Sequence, residues 1–127
     1  YRAFGLNEIQ ASTEDSIRMM HGVQTLCENK DIPYLQMQGP FPIMSKSKFD
    51  NEKKLTHTII NNNLLKEIPK ATFLGWPIIK SIGGKCVDDY LTKDEKYVIS
   101  KEDRHPNAKG HELISEILYD KYNQNYS

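Results

Sequence analysis

A helical run framed by two short apolar segments, with only a few residues at each joint, narrows the topologies open to this chain. Residues 1–4 form a strand candidate that ends at Gly5. Ser12-Thr13-Glu14-Asp15 has the form of a capping box ahead of a periodic run. In that run Ile17, Met20, Val23 and Cys27, with Met19 and Leu26, line one broad helical face. Residues 29–31 are expected to end the helix, and Pro33 prevents its resumption. Residues 32–37 are apolar and of strand length. Strand, helix and strand with short joints make a βαβ signature, which implies a parallel sheet with a right-handed crossover. Ligands in such sheets bind beyond the carboxyl ends of the strands. Gly5-Leu6-Asn7-Glu8 and Gly39-Pro40-Phe41-Pro42 both fall at that edge.

The rest of the chain is more broken. Residues 43–54 are polar and lysine-rich, a surface excursion. Residues 50–68 read as a second helix with Leu55, Ile59 and Leu65 on one side. Asn61-Asn62-Asn63 weakens that helix, because asparagine competes for backbone hydrogen bonds, and Pro69 ends it. Residues 71–79 are apolar, hold Trp76, and fit either a short strand or a packed loop. Gly83-Gly84 is a turn, and Tyr97-Val98-Ile99 is the best later strand candidate. Pro106-Asn107 opens a final helix whose apolar face is Leu113, Ile114, Ile117, Leu118 and Tyr122.

Composition removes several function classes. The 127 residues suffice for one domain with a modest core. The formal net charge is zero, whereas nucleic acid and anionic membranes select clustered basic charge, so neither is an expected partner. No apolar run is long enough to span a bilayer. Cys27 and Cys86 lack metal-ligand spacing and read as free thiols. The chain begins Tyr1-Arg2-Ala3-Phe4-Gly5, as if inside a strand, and is expected to be an N-terminally truncated piece of a longer domain.

Chemistry concentrates near residue 105. His105 lies directly ahead of a helix start, so it sits in a loop at a fixed place. Pro106 fixes the backbone and Asn107 is a competent cap. Asp103, two residues back, can reach the imidazole and hold one tautomer. A general base needs this arrangement: one ring nitrogen oriented by a carboxylate, the other facing a nucleophile. The bland alternative is a helix cap with an exposed histidine. His21, His57 and His111 share no ligand spacing and suggest no metal site; His111 suits packing or capping. Phe41 and Trp76 could line a pocket, but core packing is the simpler role.

The stretch Asp103-Arg104-His105-Pro106-Asn107-Ala108-Lys109-Gly110-His111-Glu112-Leu113-Ile114 resembles the last block of the SGNH, or GDSL, serine hydrolases. Gly5-Leu6-Asn7-Glu8 is similar to their Gly-x-Asn-Asp block, with Glu8 in place of the aspartate. The resemblance implies a three-layer α/β/α sandwich with a parallel sheet, flavodoxin-like, here without its N-terminal strands. It implies a single SGNH hydrolase-like domain over 1–127. It makes His105 the catalytic base, Asp103 its orienting acid and Asn7 an oxyanion donor. Glu102 is the alternative acid, since the family also places aspartate three residues ahead of the histidine, and Arg104 would then pair with the carboxylate not used. The family's Gly-Asp-Ser nucleophile block is absent; Ser12, Ser16, Ser45 and Ser47 lack the Gly-Asp lead.

The implied function is hydrolysis of a small-molecule or carbohydrate acyl ester, without metal or organic cofactor, by a serine upstream of this chain. Acetyl transfer uses the same residues. A non-catalytic SGNH-like binding or structural module is the second reading, and an unrelated α/β domain with a chance helix cap is the third. On the first reading, these 127 residues alone are expected to lack esterase activity.

Overall fold

The computed structural model describes residues 8–39, 49–91 and 94–127. Helix α1 spans Glu8–Asn29, strand β1 Gln36–Met37, helix α2 Phe49–Ile60, strand β2 Phe73–Leu74, helix α3 Val87–Tyr90 and helix α4 Ala108–Tyr126. The described residues are mostly helical, and the one sheet among them is a parallel pair, Gln36 beside Phe73 and Met37 beside Leu74. The expected three-layer α/β/α sandwich with a multi-strand parallel sheet is therefore overturned. Two local causes are visible. Pro33 has no N–H to offer a ladder and Ile32 is 52% exposed, so only the end of the 32–37 segment pairs. Farther on, the Asp94 side chain accepts the Lys96 amide at 3.0 Å and winds Glu95–Tyr97 into a 3₁₀ turn. Val98 is left with an isolated antiparallel bridge to Pro106. The strand candidate at residues 1–4, the Asn7 block and Phe41 lie outside the described residues.

The described residues group into two compact units. The first holds α1, α2 and the turns that follow to Pro69. Helix α1 starts at Glu8, so the capping box expected at Ser12 falls inside it, and the Ser16 hydroxyl donates to the Ser12 carbonyl at 2.8 Å. Its far end is as expected: Asp31 takes a left-handed φ of 52° while Ile32 N–H donates to Cys27 O at 2.9 Å and Asp31 N–H to Glu28 O at 3.2 Å. These two bonds satisfy the last carbonyls of the helix. The buried line of α1 runs through Thr13, Ile17 and Gln24, with Met20 and Cys27 half-buried. Met19, Val23 and Leu26 were expected on that face but stand exposed. The rotation has a polar cause: Gln24 Nε2 donates to the Glu67 carbonyl at 2.8 Å, which draws a polar position inward. Leu55 and Ile59 from α2 and Ile68 complete this core. The asparagine run ends α2, because Asn61 Nδ2 donates to the His57 carbonyl and Asn62 Oδ1 accepts the Leu64 amide, both at 2.8 Å.

The second unit holds β1, β2, α3 and α4. Its core is Phe73, Leu74, Trp76, Ile78, Ile79, Cys86, Leu91 and Val98, with Trp76 tilted against Phe73 at 5.3 Å between ring centres. After β2 the chain folds into a loop that closes on itself where Lys85 N–H donates to Gly75 O at 2.9 Å. Gly75 has φ 87°, and a Cβ there would collide with the Lys85 carbonyl, so both backbone conformation and space demand glycine. Helix α4 returns to the sheet at its far end. Asn125 Nδ2 donates to Ala71 O at 2.7 Å, and the Tyr126 hydroxyl donates to Tyr34 O at 3.0 Å.

The near end of α4 is held more tightly. Asn107 is its cap, with Oδ1 accepting the Gly110 amide at 3.0 Å. The Asn107 amide nitrogen donates to Lys96 O at 2.9 Å and to Val98 O at 2.7 Å. Gly110 is buried beneath the Tyr97 carbonyl, where a Cβ would overlap backbone atoms. Asn107→Ala should therefore destabilise the protein by about 1 kcal/mol from the lost cap alone. Gly110→Ala should cost about 1–3 kcal/mol through overpacking. Urea unfolding midpoints test both, and an unchanged midpoint for Gly110→Ala would contradict the close approach.

Candidate functional site

Residues 98–106 form a closed turn whose tip carries the chemistry. Ile99 N–H donates to His105 O at 3.0 Å, and Ser100 N–H donates to Asp103 O at 2.9 Å. Inside the turn, Ser100 Oγ accepts the amides of Glu102 and Asp103 at 3.1 and 2.9 Å and donates to Glu102 Oε2 at 3.2 Å. Serine hydroxyls support such turns by bonding amides two and three residues ahead. Ser100 escaped the sequence reading because a lone serine in a charged stretch carries no motif.

On this frame Asp103 Oδ1 accepts twice from His105, from the backbone amide at 3.1 Å and at ring Nδ1 at 2.6 Å. A carboxylate only accepts, so Nδ1 must carry the proton, and Nε2 is the nitrogen left with a basic lone pair in the neutral ring. The choice between the two acids is thus decided in geometry: Asp103 holds the imidazole, while Glu102 takes the Ser100 hydroxyl. The pair is accessible, with side-chain exposures of 55% for His105 and 49% for Asp103. The imidazole hydrogen bond holds the Asp103 carboxyl below its ordinary range.

Arg104 does not serve either neighbouring acid, contrary to expectation. It reaches Asp88 on α3, with Nε at 2.9 Å and Nη2 at 2.6 Å from Oδ1. Both side chains are roughly three-quarters buried, at 29% and 25% exposure. The Asp88 carboxylate raises the Arg104 guanidinium further above its already high value. Asp89 fixes α3 in turn. Its Oδ2 accepts the Cys86 amide at 3.0 Å, and its Oδ1 pairs with Lys80 at 2.9 Å. Burial works against ionising Asp89, but the Cys86 amide and the Lys80 ammonium prevail and lower its carboxyl. Arg104 thereby anchors the residue between Asp103 and His105 to a second element. Sixteen residues separate Asp88 from Arg104, a spacing with no periodicity to reveal the pair.

His111 is exposed on the first turn of α4, His57 is exposed on α2, and His21 is half-buried on α1. No group of three or more potential ligands able to hold a metal ion occurs among the described residues. Both cysteines are free thiols, Cys86 buried and Cys27 half-buried. Burial pushes the Cys86 thiol upward in pKa, which makes it a poor nucleophile. No helix among the described residues is long and apolar enough to cross a membrane. No family model, curated protein or solved structure matches the chain.

The depressed Asp103 carboxyl carries a pH signature. An acid lowered in the folded state contributes stability above its unfolded value, and that contribution is lost as pH falls through the folded value. His105→Ala should therefore move the Asp103 carboxyl titration upward, towards the ordinary 3.8. Carbon-13 NMR of the aspartate side chains reads this directly, and an unmoved Asp103 titration would show that the imidazole is not its partner in solution.

Proposed function

We propose that His105 and Asp103 act as the general base and its orienting acid in the hydrolysis of acyl esters by a serine nucleophile. The 2.6 Å contact between Asp103 Oδ1 and His105 Nδ1 supports this reading most strongly. It supports the Nδ1–H tautomer, in which Nε2 would accept the proton. The proposal rests on the site, since a fold alone does not specify chemistry. The resemblance to SGNH hydrolases would place the nucleophile in a Gly-Asp-Ser block upstream of Tyr1 and make Asn7 an oxyanion donor.

In this mechanism His105 Nε2 accepts the serine proton as the oxygen attacks the ester carbonyl. Asp103 steadies the imidazolium that forms, and the oxyanion-hole donors hold the tetrahedral oxygen. The intermediate collapses with loss of the alcohol, which takes the proton from His105. Water activated by the same imidazole then cleaves the acyl enzyme, regenerating the serine and releasing the carboxylic acid.

A second reading has its own observation. Asn107 and Gly110 are fully occupied in holding the turn against α4, and Asp103 Oδ1 also accepts the His105 amide. The same block can thus serve as a structural clasp in a non-catalytic SGNH-like module. Full-length polypeptide assayed with p-nitrophenyl acetate separates the two. On the catalytic reading His105→Ala and Asp103→Asn each lower kcat by about 10²–10⁴-fold with little change in Tm. Full ester hydrolysis surviving in His105→Ala would remove that histidine from the mechanism. A wild type without activity, whose Tm falls in both variants, would favour the clasp.

A further inference from the structure

A groove of about 450 Å³ lies in the second unit, on the far half of α4. Its apolar lining includes Phe73 from β2, Trp76 just after that strand and Ile117 from α4. Its rim carries three lysines, Lys70, Lys85 and Lys121, against one carboxylate, Asp120. None of the three ammonium groups has a carboxylate within ion-pair distance among the described residues. The Lys85 ammonium is instead 5.6 Å from the centre of the Tyr90 ring, another lining residue.

The surplus of cations is a product of the fold. The Gly75–Lys85 hydrogen bond closes the intervening loop and sets Lys85 beside the end of β2. The Asn125 bond to Ala71 brings the far half of α4, and Lys121 with it, to the same place. Lys70 directly precedes Ala71. The two tethers therefore gather positions up to 51 residues apart in sequence (121 minus 70). The groove is separate from the turn at His105. Apart from Tyr90 on α3, its helical residues come from α4 and start at Ile117, nine positions into that helix, about 14 Å along the axis from the helix start.

We propose that this groove binds a small organic anion with an apolar body, its charged head among Lys70, Lys85 and Lys121 and its apolar portion over Phe73, Trp76 and Ile117. The volume falls within the range of small-molecule sites, which combine apolar walls with a few convergent polar groups. Lysine suits a phosphate or carboxylate head as a mobile point charge. Exclusion of water by the apolar portion strengthens the charge pairing. The proposal is independent of the ester hydrolysis reading, since none of its residues belongs to the His105 turn.

Titration of the isotopically labelled protein with phenyl phosphate, followed by amide NMR, tests the proposal, with phenol as the uncharged control. Saturable shifts at Gly75, Gly83 and Gln124 are expected with phenyl phosphate, and weaker ones with phenol. The Lys85→Gln, Lys121→Gln double variant should bind phenyl phosphate roughly three- to thirtyfold more weakly at low salt. Its amide spectrum away from the groove reports whether the fold is retained. No saturable shift with phenyl phosphate, equal shifts with phenol, or undiminished binding by a folded double variant would each overturn the proposal.

Discussion

Asn107 spends every hydrogen-bonding group of its side chain on backbone. Its oxygen takes the Gly110 amide, and its nitrogen serves the carbonyls of Lys96 and Val98. Those two carbonyls belong to the chain entering the 98–106 turn, and the amide belongs to the helix leaving it. One residue therefore fixes the entry and exit of the turn against each other. Gly110 makes the arrangement possible, because only a position without Cβ can lie beneath the Tyr97 carbonyl. The 2.6 Å contact of Asp103 with His105 depends on this closure, since neither side chain is held in place by burial.

The features legible in the sequence are those whose cause is local. The Asn107 cap and the start of α4 follow from Pro106-Asn107, and the end of α1 from residues 29–31 ahead of Pro33. Asp103 was distinguishable as a partner for His105 because a two-residue spacing brings the groups together by chain geometry alone. Illegible features depend on distant partners. The sheet was overread because, among the described residues, apolar segments of strand length became ladders only at Gln36–Met37 and Phe73–Leu74, where each found the other. The face of α1 was misplaced because Gln24 turns inward towards Glu67, 43 residues away. Arg104 offered two acids next door and chose Asp88, sixteen residues off. Local propensity is a weak prior against such tertiary choices.

Charge is distributed in two distinct ways in the second unit. Beside the turn two ion pairs form, Arg104 on Asp88 and Lys80 on Asp89. Those pairs tie α3 to the turn and to the preceding loop. In the groove the charge is left unmatched, three lysines to one aspartate. A net charge of zero over the chain conceals both patterns, because the total says nothing about placement.

The Tyr126 hydroxyl meets Tyr34 across 92 residues, and Asn125 meets Ala71 across 54. Contacts of that separation slow folding more than they alter stability, since closure entropy rises only gently with loop length. The other end of α4 is anchored within eleven residues, by Asn107 on Lys96 and Val98. The two ends of one helix thus carry different closure costs. Helix α4 therefore joins a local anchor at one end to long-range anchors at the other.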